Sequence, residues 1–407
     1  MFNKLKIIND PVYGFIGIPY SIVFDLIEHR WFQRLRYIRQ LGMTHLVYPG
    51  AIHTRFHHAL GAMHLMTLAI DELRNKGNSI TEDEAIGVTI AILLHDIGHG
   101  PFSHALESSL AENLHHEDLS LILMVKLNEE FEGKLSTAIQ IFKNSYPKKF
   151  LHQLVSSQLD MDRLDYLMRD SFFTGVSEGV ISSDRIIKML QVKDDVLVVS
   201  EKGIYSIEKF IVARRLMYWQ VYLHKTVLSA ENILNNILRR AKELTVDGEH
   251  LFASESLCWF LENSPNKADF ESAGKALEMF NNLDDNDIYS AIKSWQNVKD
   301  KALSMLCRQL IARNLFKVVI SQNPISVELL RQKQKAFSGK YNILLEQSNL
   351  FVFSGSIVNN AYNPKSDKIY ILQRNGEVKD IAEAADQLNI SALSEPVVKY
   401  FVCEFRE

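Results

Sequence analysis

Ile90-Ala91-Ile92-Leu93-Leu94-His95-Asp96-Ile97-Gly98-His99-Gly100-Pro101 runs an apolar helical stretch into two polar residues, then into glycine and proline. His95 and Asp96 offer an imidazole nitrogen and a carboxylate oxygen to one cation, a mixed ligation that magnesium and divalent transition metals accept. A buried helix that ends on two polar groups needs something to satisfy them. Histidine usage points the same way. Ten of the 14 histidines fall between His45 and His116, and imidazoles gathered in one segment are a metal or acid–base signal.

Outward from this stretch, apolar spacing predicts a mainly α fold. Helices are expected over residues 21–41 (stopping at Gly42), 59–76, 117–127, 151–170, 183–190 and 207–244. Thr81-Glu82-Asp83-Glu84, a threonine followed by acids, marks the start of the helix that ends at His95. Residues 196–205 suggest a short hairpin turning at 201–203. After about Leu330 the texture changes to apolar runs at 350–354, 368–372 and 397–405, separated by Asn, Gly and Pro. The expected organisation is a helical domain over 1–330 with a small α+β appendage over 331–407.

Composition narrows the function. A net charge of -4 argues against a generic nucleic-acid coat but leaves room for a local basic pocket. Cys258, Cys307 and Cys403 form no zinc-ligand pattern, and an odd count suits a reducing compartment. The opening MFNKLKIIND has no apolar core of signal-peptide length, and the run at 85–94 is far short of a membrane span. A cytoplasmic protein without a membrane partner is expected.

Two further segments bear on the His95-Asp96 pair. His53-Thr54-Arg55-Phe56-His57-His58 opens a helix, so one of its histidines can face the pair. Asp162, Asp165, Tyr166 and Arg169 share one helical face. One histidine from the first segment, His95, Asp96 and one aspartate from the third would make a four-ligand site with positions open to water and a substrate oxygen.

Between residues 9 and 225 a set of segments follows in order. It comprises Asn9-Asp10-Pro11-Val12-Tyr13-Gly14, Phe32-Gln33-Arg34-Leu35-Arg36-Tyr37-Ile38-Arg39-Gln40-Leu41-Gly42, and Tyr48-Pro49-Gly50-Ala51-Ile52-His53-Thr54-Arg55-Phe56-His57-His58. The His95 stretch continues into Phe102-Ser103-His104, and His116-Glu117, Asp162-Arg163-Leu164-Asp165-Tyr166 and Tyr222-Leu223-His224-Lys225 complete the set. Together they resemble the HD-domain phosphohydrolases, specifically the deoxynucleoside triphosphate triphosphohydrolase branch (dGTPase-like and SAM-and-HD-domain dNTPase-like). The resemblance implies an HD-type helical core, a divalent metal and a deoxynucleotide substrate cleaved to deoxynucleoside and triphosphate.

Residue by residue, the resemblance implies His58, His95, Asp96 and Asp162 as metal ligands. It puts Arg55 and Arg163 on phosphates, the latter where relatives often carry lysine. His99 and His116 would flank the scissile phosphate, with Glu107 orienting His116 where relatives place the shorter aspartate. Gln40 and Asp170 would hold the sugar 3′-OH, and Tyr166 would pack on the deoxyribose. Arg214 and Lys225 would reach distal phosphates, Tyr222 the base, and His104 either a phosphate or the backbone. Glu28, Gln33 and Arg36 match positions that bind an activating guanine nucleotide at a subunit interface, which implies a homo-oligomer, dimer or tetramer.

Mixed His/Asp ligation admits Mn, Mg, Fe, Ni, Co or Zn. The same metal chemistry would serve another nucleotide (a monophosphate, a cyclic dinucleotide or an alarmone). A nucleotide-binding regulatory module is the non-enzymatic alternative.

Overall fold

The computed structural model describes residues 6–102, 115–272, 274–359, 362–363, 367–390 and 395–406. A hairpin of β1 (Ile7–Asp10) and β2 (Gly14–Gly17) leads into α1 (Ser21–Glu28) and α2 (Arg30–Gln33). Two long helices follow, α3 (Arg55–Asn75) and α4 (Glu82–Leu94). Every residue from Gly87 to Leu94 is buried, so α4 is apolar on all sides because it has neighbours on all sides. It packs on α3 and on α6 (Ser136–Phe142), while α3 packs on α8 (Met161–Thr174). Between these lie α5 (His116–Glu130) and α7 (Lys149–Val155). Thr81 and Glu84 close a reciprocal capping box at the start of α4, with Glu84 N–H donating to Thr81 Oγ1 at 3.2 Å and Thr81 N–H to Glu84 Oε2 at 2.9 Å. The His95-Asp96 pair therefore emerges from a helix whose last eight residues are all buried.

After α9 (Ser183–Met189) come strands β3 (Leu190–Lys193) and β4 (Val196–Ser200), then α10 (Ile204–Met217) and α11 (Lys225–Val246). Five further helices cover α12 (Glu255–Glu262), α13 (Lys267–Glu271), α14 (Lys275–Asn281), α15 (Asp285–Trp295) and α16 (Lys301–Ile311). The rest comprises β5 (Lys317–Ser321), α17 (Val327–Tyr341), β6 (Val352–Asn359), β7 (Tyr370–Leu372), β8 (Val378–Asp380), α18 (Ile381–Ala384) and β9 (Val397–Glu404). The fold is mainly α, with strands concentrated toward the C-terminal end.

Several elements differ from the sequence reading. The helix expected over 21–41 breaks at His29, whose backbone is extended and whose Nδ1 accepts the Trp31 N–H to cap α2. The helix expected over 151–170 is two, because Asp160 is extended and caps α8 by accepting the Arg163 N–H at 2.7 Å. The stretch 207–244 is divided by a π-helical turn, Tyr218–Tyr222, and α11 restarts with His224 as its cap. The hairpin sits one strand earlier than expected. Its turn is Asp194-Asp195, both at positive φ (51° and 62°), the backbone a tight two-residue turn needs and one that aspartate tolerates.

Strand pairing also crosses residue 330, which falls inside α17. β7 adds in parallel to β4, with Val198 opposite Tyr370, in a sheet ordered β3-β4-β7-β8. β5 pairs with β9 in a second sheet ordered β5-β9-β6. The strands that follow residue 330 are thus hydrogen-bonded into strands that come from before it.

Candidate metal centre and nucleotide cavity

Helix α3 begins with two histidines in different roles. His57 Nδ1 accepts the Thr54 N–H at 3.2 Å and caps the helix start. His58, one residue on, points inward and is fully buried. Its Nδ1 lies 2.7 Å from Asp165 Oδ2, and its Nε2 lies 3.3 Å from His95 Nε2 and 3.0 Å from Asp162 Oδ1. His95 Nδ1 lies 2.6 Å from the Ile92 carbonyl. Each ring thus donates through Nδ1 to a fixed acceptor and turns its Nε2 lone pair toward the other.

Two lone pairs and a carboxylate converging in this way can hold a cation. His58, His95 and Asp162 each offer one ligand atom, all within 4.8 Å of one another. Anchoring the far nitrogen of a metal-binding histidine is how proteins orient such ligands, so the donor set fits a divalent ion. Burial opposes charge on His58, yet the hydrogen bonds to Asp162 and Asp165 push its pKa up to about 10. Asp96 sits beside the cluster, Oδ2 3.8 Å from His58 Nε2 and Oδ1 3.4 Å from His95 Nε2.

Behind His58, Asp165 is gripped by Arg169 through two hydrogen bonds of 2.9 and 3.0 Å, and Arg169 reaches Asp10 at 2.8 Å. All four groups are buried. This requires Gly61 in α3, because a Cβ there would lie 2.0 Å from Asp165 Oδ1 and 2.2 Å from Arg169 Nη2. The two aspartates that share a face of α8 therefore divide by role: Asp162 faces the cluster and Asp165 braces it.

On the next side stand two arginines and two histidines. Arg55 Nη1 meets Asp96 Oδ2 at 2.5 Å and His99 Nε2 meets Asp96 Oδ1 at 3.2 Å. Burial opposes its charge, but His95, His99 and Arg55 hold the Asp96 carboxyl well below the usual range. Burial, followed by the Arg55 charge, drives the His99 pKa well down. His99 stacks on His116, ring centroids 3.9 Å apart. Gly98 permits this: a Cβ there would strike the Ser120 N and the His116 carbonyl, so the chain passes close beneath the start of α5. Arg163 donates to the Ser157 carbonyl at 2.6 Å and lies 3.3 Å from Asp160, whose pKa burial raises to about 6 against the pull of Arg163.

Beyond these four, Asp170 accepts from Tyr222 OH at 2.7 Å on one oxygen and lies 2.8 Å from His53 Nε2 on the other. His53 stacks on Phe173 at 4.5 Å. Tyr166 packs edge-on to Tyr222, and among the described residues the buried Tyr166 hydroxyl and Gln40 Oε1 have no hydrogen-bond partner. The π-helical turn brings Tyr218 and Tyr222 to the same cavity, of about 480 Å³, that Arg55, Asp96 and Asp162 line.

The remaining expected site residues lie elsewhere. Arg214 donates to Gln158 Oε1 at 3.0 Å, and Lys225 is exposed at the start of α11; neither lines the cavity. Gln33 lines a second cavity of about 420 Å³, donates to the Ile27 carbonyl and accepts from Arg36. Arg36 stacks on Phe56, and Glu28 is exposed at the end of α1. His104 and Glu107 lie outside the described residues. The sequence left His53 as an alternative ligand; its placement in Ile52-His53-Thr54, ahead of the helix, directs it to Asp170 instead. Nothing in the sequence singled out Glu231 and Asn235, which also line the cavity.

A family model described as "HD domain" matches residues 55–170, and one described as "HD associated region" matches 181–260. The uncharacterized protein YwfO of Bacillus subtilis is 33% identical over 398 residues, 93% of this chain and 88% of that protein. A deoxynucleoside triphosphate triphosphohydrolase SAMHD1 homolog of Dictyostelium discoideum is 32% identical over 303 residues, 68% of this chain and 58% of that protein. Among solved structures, a phosphohydrolase from Bacteroides thetaiotaomicron superposes with a TM-score of 0.96 at 55% identity, over 99% of this chain and 100% of the other. Among the described residues no helix is long and apolar enough to cross a membrane.

Proposed function

Because the chain belongs to the HD-domain phosphohydrolases, in the branch that resembles deoxynucleoside triphosphate triphosphohydrolases, we propose that it cleaves deoxynucleoside triphosphates to deoxynucleoside and triphosphate. The observation that carries this reading is one cavity joining the His/Asp cluster to Tyr166, Asp170 and Gln40. His58, His95, Asp96 and Asp162 would hold the metal. When bound, a divalent ion lowers the pKa of water and neutralises charge on a phosphoryl oxygen.

The chain's own groups supply the rest. Arg55 and Arg163 bind the phosphates and offset their charge. Water attacks the α-phosphorus, the bond from phosphorus to the sugar 5′ oxygen breaks, and His116, with His99 stacked against it, delivers the proton that this oxygen needs to leave. Asp170, braced by His53 and Tyr222, and Gln40 hold the 3′-OH, while Tyr166 closes on the sugar face where a ribose would carry its extra hydroxyl.

The same reading assigns His104 to a phosphate or the backbone, Glu107 to His116, and Glu28, Gln33 and Arg36 to an activating nucleotide in a homo-oligomer; Arg214 and Lys225, which do not line the cavity, are left without a phosphate. The test is product identification after incubation with a dNTP panel and Mn2+ or Mg2+, alongside metal analysis of the purified protein. Triphosphate and deoxynucleoside are expected, and Asp96→Ala should abolish their release. Orthophosphate or pyrophosphate in place of triphosphate would overturn the assignment.

A further inference from the structure

The loop that follows the His95-Asp96 pair is held from outside the helices that carry the cluster. Arg34 lies in the short turn Arg34–Tyr37 after α2. Its Nη2 donates to the Ile97 carbonyl at 2.9 Å and to the His99 carbonyl at 3.0 Å. Its Nη1 reaches the Leu283 carbonyl, just ahead of α15, at 3.4 Å, and the guanidinium lies over the Phe280 ring at 4.6 Å. At the far end of the loop the carboxyl of Asp285, the first residue of α15, accepts the Arg39 N–H at 3.1 Å and faces the Phe102 N–H. Phe102 itself has a φ of 49°, a backbone that a bulky residue rarely adopts, and Tyr289 packs edge-on against its ring at 5.6 Å. The loop is thus tied to segments that precede α3 or follow α14.

The Arg34 fork is an expensive way to fill space. Arg34 is buried, and among the described residues no carboxylate forms an ion pair with it, so a guanidinium has left water for carbonyl acceptors alone. What the planar fork supplies is geometry: one rigid group meets two carbonyls on either side of Gly98, which a point donor on a flexible stem does not fix. The remaining groups of this stretch are also fixed. Gly98 N–H donates to Ser120 Oγ at 2.9 Å, and His99 N–H to the Asp96 carbonyl at 3.1 Å. With the chain held before and after it, His99 has one direction in which to project its ring. That ring links two parts of the site, since its Nε2 lies 3.2 Å from Asp96 Oδ1 and its face stacks on His116 at 3.9 Å.

We propose that Arg34 is a positioning residue: by holding the Ile97 and His99 carbonyls it sets the His99 ring between Asp96 and His116, and through that stack it aims His116 at the leaving oxygen. Arg34 does not line the nucleotide cavity; it lines the second cavity, beside Arg30 and Asp284. Its effect on turnover rests on the reaction proposed above, whereas its effect on the two rings is readable without turnover.

Three measurements test it. Arg34→Lys keeps the charge and loses the fork, so kcat on dNTPs should fall by about 10- to 100-fold, as ångström-scale misplacement does, with KM changed less than about threefold. In Arg34→Ala, guanidinium ion entering by the second cavity should restore kcat by about tenfold or more, where equal concentrations of sodium chloride or urea do not. In protein carrying 13C-labelled histidine, the His99 and His116 ring signals, assigned by their loss in His99→Gln and His116→Gln, should shift in Arg34→Lys while those of His53 and His57 stay. Should Arg34→Ala fail to fold, Arg34→Lys decides the matter by kcat and by the ring signals. A lower melting temperature with normal kcat and unmoved ring signals would make Arg34 part of the packing alone and overturn the proposal. Shifted signals in a protein that never releases triphosphate keep the clamp and overturn the reaction; triphosphate release with unmoved signals does the reverse.

Discussion

Around the cluster, the ring nitrogens of His58 and His95 that face away from it are held by Asp165 and the Ile92 carbonyl, and Asp165 is held in turn by Arg169. Along α11, Glu231 and Asn235 reach the same cavity, and among the described residues neither the Glu231 carboxyl nor the Asn235 Oδ1 has a hydrogen-bond partner. The first wall is braced in advance, as chemistry requires, because a ligand that must be reoriented at each turnover wastes binding energy. The second stays open, and nothing in the chemistry proposed above depends on it. A braced wall should fail through stability and metal affinity together. An open wall should tolerate substitution.

The braced side gives the largest expected effect. Asp165→Asn should lower metal affinity or activity by roughly 10–100-fold, as loss of a ligand's outer partner does. It should also destabilise the fold by about 3 kcal/mol, since Arg169 loses a buried counter-charge. Metal titration and denaturant unfolding measure the two; a variant with normal values for both would break the comparison. Between the walls, Tyr222→Phe removes one of two contacts to the Asp170 carboxylate. About a tenfold fall in kcat/KM is expected, the value of a hydrogen bond to a charged group. An unchanged kcat/KM would mean that His53 alone positions Asp170.

The smallest effect belongs to the open wall. The Glu231 pKa rises in the fold from 4.5 to about 7, so the native state binds a proton that the unfolded chain releases between those values. Wild-type stability from this group is therefore highest below pH 4.5 and falls as pH climbs toward 7 and beyond. Glu231→Gln lacks this loss. Its melting temperature should match the wild type near pH 4.5 and exceed it by a few degrees above pH 7, about 1 kcal/mol for a half-buried group. A pH-independent difference between the two would contradict it.

Much of the braced wall was legible in the sequence, because its groups come from short segments with internal order. The His95-Asp96 pair and the shared face of Asp162, Asp165, Tyr166 and Arg169 follow from a helix end and helical spacing, while the choice of His58 among its neighbouring histidines and of Asp162 among the aspartates was implied by the family resemblance. The open wall was not legible. Glu231 and Asn235 look like any solvated helix face until the fold brings Gly42 and Phe102 against them, and no local pattern encodes a contact over that separation. The breaks at His29, Asp160 and Tyr218–Tyr222 were missed because apolar spacing continues through them, while backbone dihedrals and caps decide where a helix ends. The displaced hairpin has the same origin: Glu201–Gly203 carries the stronger turn composition, but Asp194-Asp195 adopts the positive φ that joins two strands.

The parallel pairing of β7 with β4 has a consequence in time as well as in space. Every described residue of the cavity lies at or before Asn235, yet the strand that covers β4 is Tyr370–Leu372. At roughly 5–20 residues per second, a ribosome needs roughly 10–30 s to travel from Ser200 to Tyr370. Once α16 has been made the helical region can collapse while one edge of its sheet stays uncovered, a template for pairing with a neighbouring nascent chain. The yield of soluble protein should therefore depend on how well this edge is shielded during synthesis, and a chain cut short after residue 330 would leave it open permanently.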